Sequence, residues 1–172
     1  VGMLSRADVG IILLIAHYGA NLIFGVLLGF LANEDISARR LSLPPSVEPS
    51  SIWQSLTKAV KHGTAAIINI GGFVTLFSVI VALGEKIGLF ALTNQFFAFL
   101  LRVLGLAAEG QSALSYGLFE MTLGVNEMSS AAAPFLLKLA IISFIMGWGG
   151  LSVQAQVCAI LAEEGISTKY FL

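Results

Sequence analysis

Three stretches of this chain run without a charged side chain: Val9 to Asn33, Thr64 to Gly84 and Leu139 to Ala162. A bilayer's hydrocarbon core is crossed by ~20 apolar helical residues, so each stretch is long enough to span it. Composition agrees. The 172 residues are 57% hydrophobic and 11% charged, where soluble domains carry ~25% charged residues. Too few polar side chains remain to coat a water-facing surface, and a disordered chain is excluded by the same figures. The predicted fold class is all-α: a polytopic membrane helix bundle of about five segments, two of them discontinuous (broken or re-entrant).

The totals exclude several functions. Nine basic against ten acidic residues give a net charge of −1, without the basic footprint of a nucleic-acid binder. One cysteine, Cys158, excludes an intrachain disulfide framework and a thiolate metal cluster. His17 and His62 are far apart and make no metal signature. No dinucleotide, phosphate-loop or zinc-protease motif is present, and no nucleophile–base pair is evident, so the expectation is no enzyme and no cofactor. The first apolar run exceeds the ~7–15 residues of a signal-peptide core. Residues 1–172 are read as a single domain cut from something longer, because the chain begins at Val1 and stops after Tyr170-Phe171-Leu172.

Residues 34–62 interrupt the apolar pattern. Pro44, Pro45 and Pro49 mark a polar loop, and Ser51 opens a short amphipathic stretch with Ile52, Trp53, Leu56 and Val60 on one side, read as an interfacial helix with an aromatic anchor. Arg39, Arg40, Lys58 and Lys61 put four of the nine basic residues here, which places the segment in the cytoplasm. Ile87 to Leu106 is read as a third span with a late Arg102. Asn94 and Gln95 are read as bridges to neighbouring helices. Gly25 and Gly29 form a GxxxG pair that permits close helix approach. His17 is read as a hydrogen-bonded packing histidine.

The last third differs. Ser115 to Ser130 is too polar for a lipid-facing helix and too apolar for a solvent loop, so the expectation is a helix interrupted near Leu123–Asn126. Gly147-Trp148-Gly149-Gly150 weakens a second helix, because glycine costs ~1 kcal/mol relative to alanine in a helix interior. Two interrupted apolar segments with polar residues at the breaks point to a transporter site. Freed carbonyls suit a cation, and half-helix N-termini suit an anion. The candidate site residues are Glu120, Thr122, Asn126, Gly149, Gly150, Ser152, Gln154 and Gln156. Glu120 is read as binding a coupling H⁺ or Na⁺ or touching solute, against the alternative of a hydrogen-bonded packing carboxyl. Ser152 is read as an N-cap of the second half-helix. Lys138 is read as lying at a mouth of the pathway.

Gly117-Leu118-Phe119-Glu120-Met121-Thr122-Leu123-Gly124 and Gly149-Gly150-Leu151-Ser152-Val153-Gln154-Ala155-Gln156-Val157 resemble the YlbJ-type sporulation integral membrane protein family, also called stage V sporulation protein V. Gly72 to Ile80 and His17 to Asn21 resemble it less specifically. The resemblance covers nearly the whole chain. It implies a nucleoside-recognition, or gate, domain similar to concentrative nucleoside transporters. It implies a secondary transporter in the mother-cell membrane of a sporulating bacterium, with dipicolinic acid as cargo. Family members are about twice this length, so the chain is expected to be a C-terminal half. Its implied partners are membrane lipid, a small anionic solute, the missing N-terminal half and a second copy of itself. Motif matches carry Glu120, Thr122, Ser152, Gln154 and Gln156; Asn126 falls in no fixed pattern. The rival readings are a gate-domain transporter of nucleosides or ions, and a non-transporting sporulation scaffold.

Overall fold

The computed structural model describes residues 7–31, 51–163 and 165, and these are helical with short connections and no strand. The order is α1 (Ala7–Leu31), α2 (Ile52–Lys86), α3 (Leu89–Val103), a 3₁₀ turn (Ala108–Gly110), α4 (Gln111–Phe119), α5 (Met121–Ser130), α6 (Phe135–Trp148) and α7 (Gly150–Glu163). Among the described residues three stretches are long and apolar enough to cross a membrane: α1, α2, and α6 with α7 taken together. The Pro-rich part of the 34–62 loop lies outside the described residues.

α1 and α2 present apolar side chains outward. Leu22, Phe30 and Ile67 are all at least 70% exposed. Continuous apolar faces of this kind are unsustainable in water and natural in lipid. α2 starts with a reciprocal cap: Ser51 Oγ accepts from Gln54 N at 3.3 Å, and Ser51 N donates to Gln54 Oε1 at 3.2 Å. The amphipathic stretch that follows is no separate interfacial helix, since α2 runs on without a stop for 35 residues. No proline intervenes, and a lone Gly63 costs too little to end a helix. At 1.5 Å per residue this helix is about 50 Å long, well beyond the ~30 Å hydrocarbon core.

α3 is shorter than the third span expected from the sequence. Its 15 residues lie between two left-handed glycines, Gly88 (φ 79°) and Gly105 (φ 71°). Those conformations favour glycine, and they stop the helix at both ends. Asn94 does not bridge helices through its oxygen: Oδ1 is buried without a hydrogen-bond partner among the described residues. The Gly25 and Gly29 pair is likewise not packed on a described helix, because a methyl group at either would meet nothing within 4 Å.

The core sits elsewhere, where Leu101, Ala113, Leu114, Met128, Ile141, Ile142 and Ile145 bring α3, α4, α5 and α6 together. α4 and α5 fold back on each other as an antiparallel hairpin. Gly117 lies beside Gly124, Ser112 Oγ donates to Glu127 Oε1 at 2.9 Å, and Gly110 lies beside Met128. A Cβ on Gly124 would sit 2.6 Å from Gly117 N and 2.8 Å from Ala113 O, so only glycine allows this approach. With nine and ten residues, each arm is about 15 Å long, half the ~30 Å thickness of a bilayer core.

Candidate solute and ion site

The hairpin turns on one residue. Glu120 is extended (φ −142°, ψ 118°) between α4 and α5 and only 2% exposed. Its Oε2 accepts from Leu123 N at 2.8 Å and from the Thr122 hydroxyl. Glu120 is therefore the N-cap of α5, placing a carboxylate where the first-turn N–H groups and the helix dipole favour one. The expected interruption at Leu123–Asn126 is corrected by three residues. Gly124 stays helical because its missing Cβ serves hairpin packing, while the chain turns where a capping side chain reaches the N3 amide.

A second turn lies at Gly149, between α6 and α7. Gly149 and Gly150 both have φ 77°, a left-handed geometry that costs other L-residues ~1–2 kcal/mol. α7 begins at Gly150, so Ser152 is inside the helix and not its N-cap. Ser152 is fully buried, and its Oγ accepts from Gln156 Nε2 at 3.4 Å. Gln154 Nε2 donates to Trp148 O at 3.1 Å, closing a carbonyl left open where α6 ends.

The two turns lie against each other. A Cβ on Gly150 would stand 3.1 Å from Phe119 O, 3.1 Å from Met121 N and 3.2 Å from Gly117 O. Trp148 Nε1 reaches from the end of α6 to Leu118 O at 3.2 Å. One small volume thus gathers the last carbonyls of α4, the first amide of α5 and the start of α7. Glu120, Thr122, Gly149 and Gly150 belong to it directly. Ser152, Gln154 and Gln156 follow within two turns of α7, though both glutamine amides are engaged within their own segment. Asn126 does not join it. That residue is exposed on α5, nearly two turns from Glu120, and its carbonyl accepts from Ser129 and Ser130 hydroxyls. Lys138 is used structurally, donating from Nζ to Ser129 O at 2.8 Å at the end of α5.

Sequence reasoning missed the supporting residues. Trp148 was read only as part of a glycine-rich stretch, yet it ties the two turns. Tyr116 donates to Glu85 Oε1 at 2.5 Å and stacks on Phe90 at 4.8 Å, which anchors α4 to α2 and α3. Gly117 and Gly124 let the two helix backbones touch, and no local signal in the sequence pairs them.

Charge-free spans, an apolar exterior and a buried polar junction define the class: an all-α integral membrane protein. Across 187 aligned residues, 99% of the chain is 33% identical to the sporulation integral membrane protein YlbJ of Bacillus subtilis (strain 168). The chain spans 46% of that protein's length. The resemblance read from the sequence is thus shown, and the chain is a relative of YlbJ. No family model matches the chain, and no solved structure matches it.

Proposed function

We propose that the protein is a secondary transporter of a small anionic solute, working at the mother-cell membrane during sporulation, with dipicolinate as the cargo. Sporulation enters through the name of its relative and dipicolinate through the family resemblance. The observation that carries the transport reading is the contact of Gly150 with Gly117 O, Phe119 O and Met121 N. Two turns inside apolar segments lie together, and backbone groups freed at membrane depth are tolerated where they line a cavity or bind an ion. On this reading α4–α5 is a re-entrant hairpin, and α6–α7 is one membrane helix broken at Gly149.

Roles divide by charge. The α7 N-terminus carries no acidic residue in its first turn and suits the carboxylate groups of the solute. The last carbonyls of α4, beside the Glu120 carboxylate, suit a coupling H⁺ or Na⁺. A second reading, a gate-domain transporter of neutral nucleosides or of ions, is favoured by one observation. Glu120 itself fills the anion position at the α5 N-terminus, leaving α7 alone to receive a dianion.

The test is flux of radiolabelled dipicolinate in proteoliposomes holding the full-length protein, with a nucleoside as competitor. Glu120→Gln keeps an acceptor for the α5 cap but loses the charge, and should lower flux at least tenfold in a folded protein. Dipicolinate uptake that nucleosides do not inhibit supports the cargo. Nucleoside uptake without dipicolinate uptake moves the assignment to the second reading, and no solute flux from inserted protein removes the transporter reading.

A further inference from the structure

An apolar groove lies away from the junction, between α3, α4 and α6. Its volume is about 560 Å³, and no polar side chain lines it. Buried Leu101, Leu114 and Ile141 make its floor, and exposed Leu104, Leu136 and Phe144 stand at its rim. The groove therefore opens sideways, away from the packed core, and in a membrane-spanning chain that side faces lipid. Its direction follows from the packing. Phe90 near the start of α3 lies 5.5 Å from Phe119 at the end of α4, so those helices are antiparallel. Gly110 lies beside Ile141 and Gly117 beside Ile145, so α4 and α6 run the same way. The end of α3 and the start of α6 consequently share one end of the groove. The candidate span that contains α6 begins at Phe135, which puts that end at the membrane surface. From Pro134 to Phe144 the chain rises about 15 Å, the depth of one leaflet of a ~30 Å core.

The surface end carries charge. Arg102, in the last turn of α3, is exposed and makes no hydrogen bond or ion pair among the described residues. Lys138, one turn into α6, uses one of its three donors on Ser129 O. Glu109 in the 3₁₀ turn is the acidic neighbour, and Glu127 accepts from the Ser112 hydroxyl. We infer that the groove binds a phospholipid, with one acyl chain laid along it from Pro134 to Phe144 and the phosphate paired with Arg102. A guanidinium meets a phosphate through two parallel N–H donors, and basic pockets between membrane helices take lipid head groups. Water is a poor filling, because the apolar wall offers it no partner. The chain spans 46% of its relative's length, so the rest of the full-length protein is the competing occupant.

The experiment uses the full-length protein in nanodiscs of phosphatidylglycerol, a fraction of it carrying a diazirine midway along one acyl chain. Irradiation followed by peptide mapping should label the floor residues Leu101, Leu114 and Ile141 as well as exposed Leu22 on α1, which any surrounding lipid reaches. Label on α1 without label on the floor means that protein covers the groove, and overturns the inference. Ala140→Phe fills the groove from its wall and should lower floor labelling at least fivefold while α1 labelling stays. Floor labelling that survives in a folded variant overturns the inference as well. The head group is read separately, by native mass spectrometry of protein extracted in mild detergent. Arg102→Gln, at an exposed position that does not threaten folding, should retain at least threefold less phospholipid than the parent, and equal retention overturns the phosphate contact. No arm measures flux, so failure of the solute assignment leaves every readout intact.

Discussion

α1 and α2 are long, apolar and mostly exposed, whereas α4 to α7 are short, turn at Glu120 and at Gly149, and pack against one another. Along most of its length the first pair is specified by hydrophobicity, with close contacts at the end of α2, at Gly84 and Glu85. Most of its side chains face outward, and a Cβ added at Gly19, Gly25, Gly29, Gly63, Gly71 or Gly72 meets nothing within 4 Å. The second group is specified by close contacts and caps. A Cβ at Gly117, Gly124 or Gly150 meets neighbouring atoms, and the helix ends are closed by Glu120, Gln154, Trp148 and Lys138. In a bilayer, hydrophobicity buys insertion but little packing, because lipid tails are as apolar as leucine. Specific structure must come from small residues and satisfied polar groups, and those are concentrated where the site is proposed.

Glycine substitution is the sharpest way to break this comparison. Gly124→Ala should be the most damaging single methyl in the protein, because its neighbours are Gly117 N and Ala113 O, backbone atoms that cannot rotate away. A loss on the order of 3 kcal/mol is expected, read as loss of monodisperse protein or a large drop in melting temperature in detergent. Gly150→Ala should follow, with ~1–2 kcal/mol of left-handed strain added to contacts near 3.1 Å with backbone at the hairpin turn. A well-folded Gly124→Ala protein would mean that α4 and α5 are not held at this distance.

Trp148→Phe should have a smaller effect of about 1 kcal/mol, because it leaves Leu118 O without its donor while keeping most of the ring. The expected reading is a modest fall in thermal stability. A fall in solute flux larger than the fall in stability would place the tryptophan in the pathway and not merely beside it.

What the sequence made legible follows the same division. Charge-free runs announce α1, α2 and the α6–α7 segment, since hydrophobicity is a property each residue carries with it. The Gly149–Gly150 bend is also local, because consecutive glycines have no Cβ to forbid left-handed backbone. The hairpin turn was placed three residues late because Gly124 and Asn126 look like breakers, whereas Glu120 is outside the usual Ser, Thr, Asp and Asn capping set. Gly124 is glycine for a tertiary reason, its contact with Gly117, and no window along the chain reveals that partner. Ser152 was misread as a cap for the converse reason: a serine near a break resembles a cap until the helix is seen to start two residues earlier. The mutual approach of the two turns depends on Gly150 meeting residues some thirty positions upstream, and a single sequence carries no trace of it.

The smallest expected effect sharpens the other side of the comparison. Gly25→Ala should leave stability unchanged or raise it by up to ~1 kcal/mol, the helix-propensity gain of alanine over glycine. The structure supplies no clash to oppose that gain, since nothing lies within 4 Å of the new methyl group. Within a lipid bilayer the same methyl replaces exposed backbone with apolar surface, which favours the same direction. A loss of stability in the full-length protein would therefore have a single structural meaning. It would show that α1 is covered there by another helix packed close against Gly25 and Gly29, in the manner the GxxxG spacing suggests. Gly29→Ala should then lose as much as Gly25→Ala, while Gly19→Ala, outside that spacing, should not.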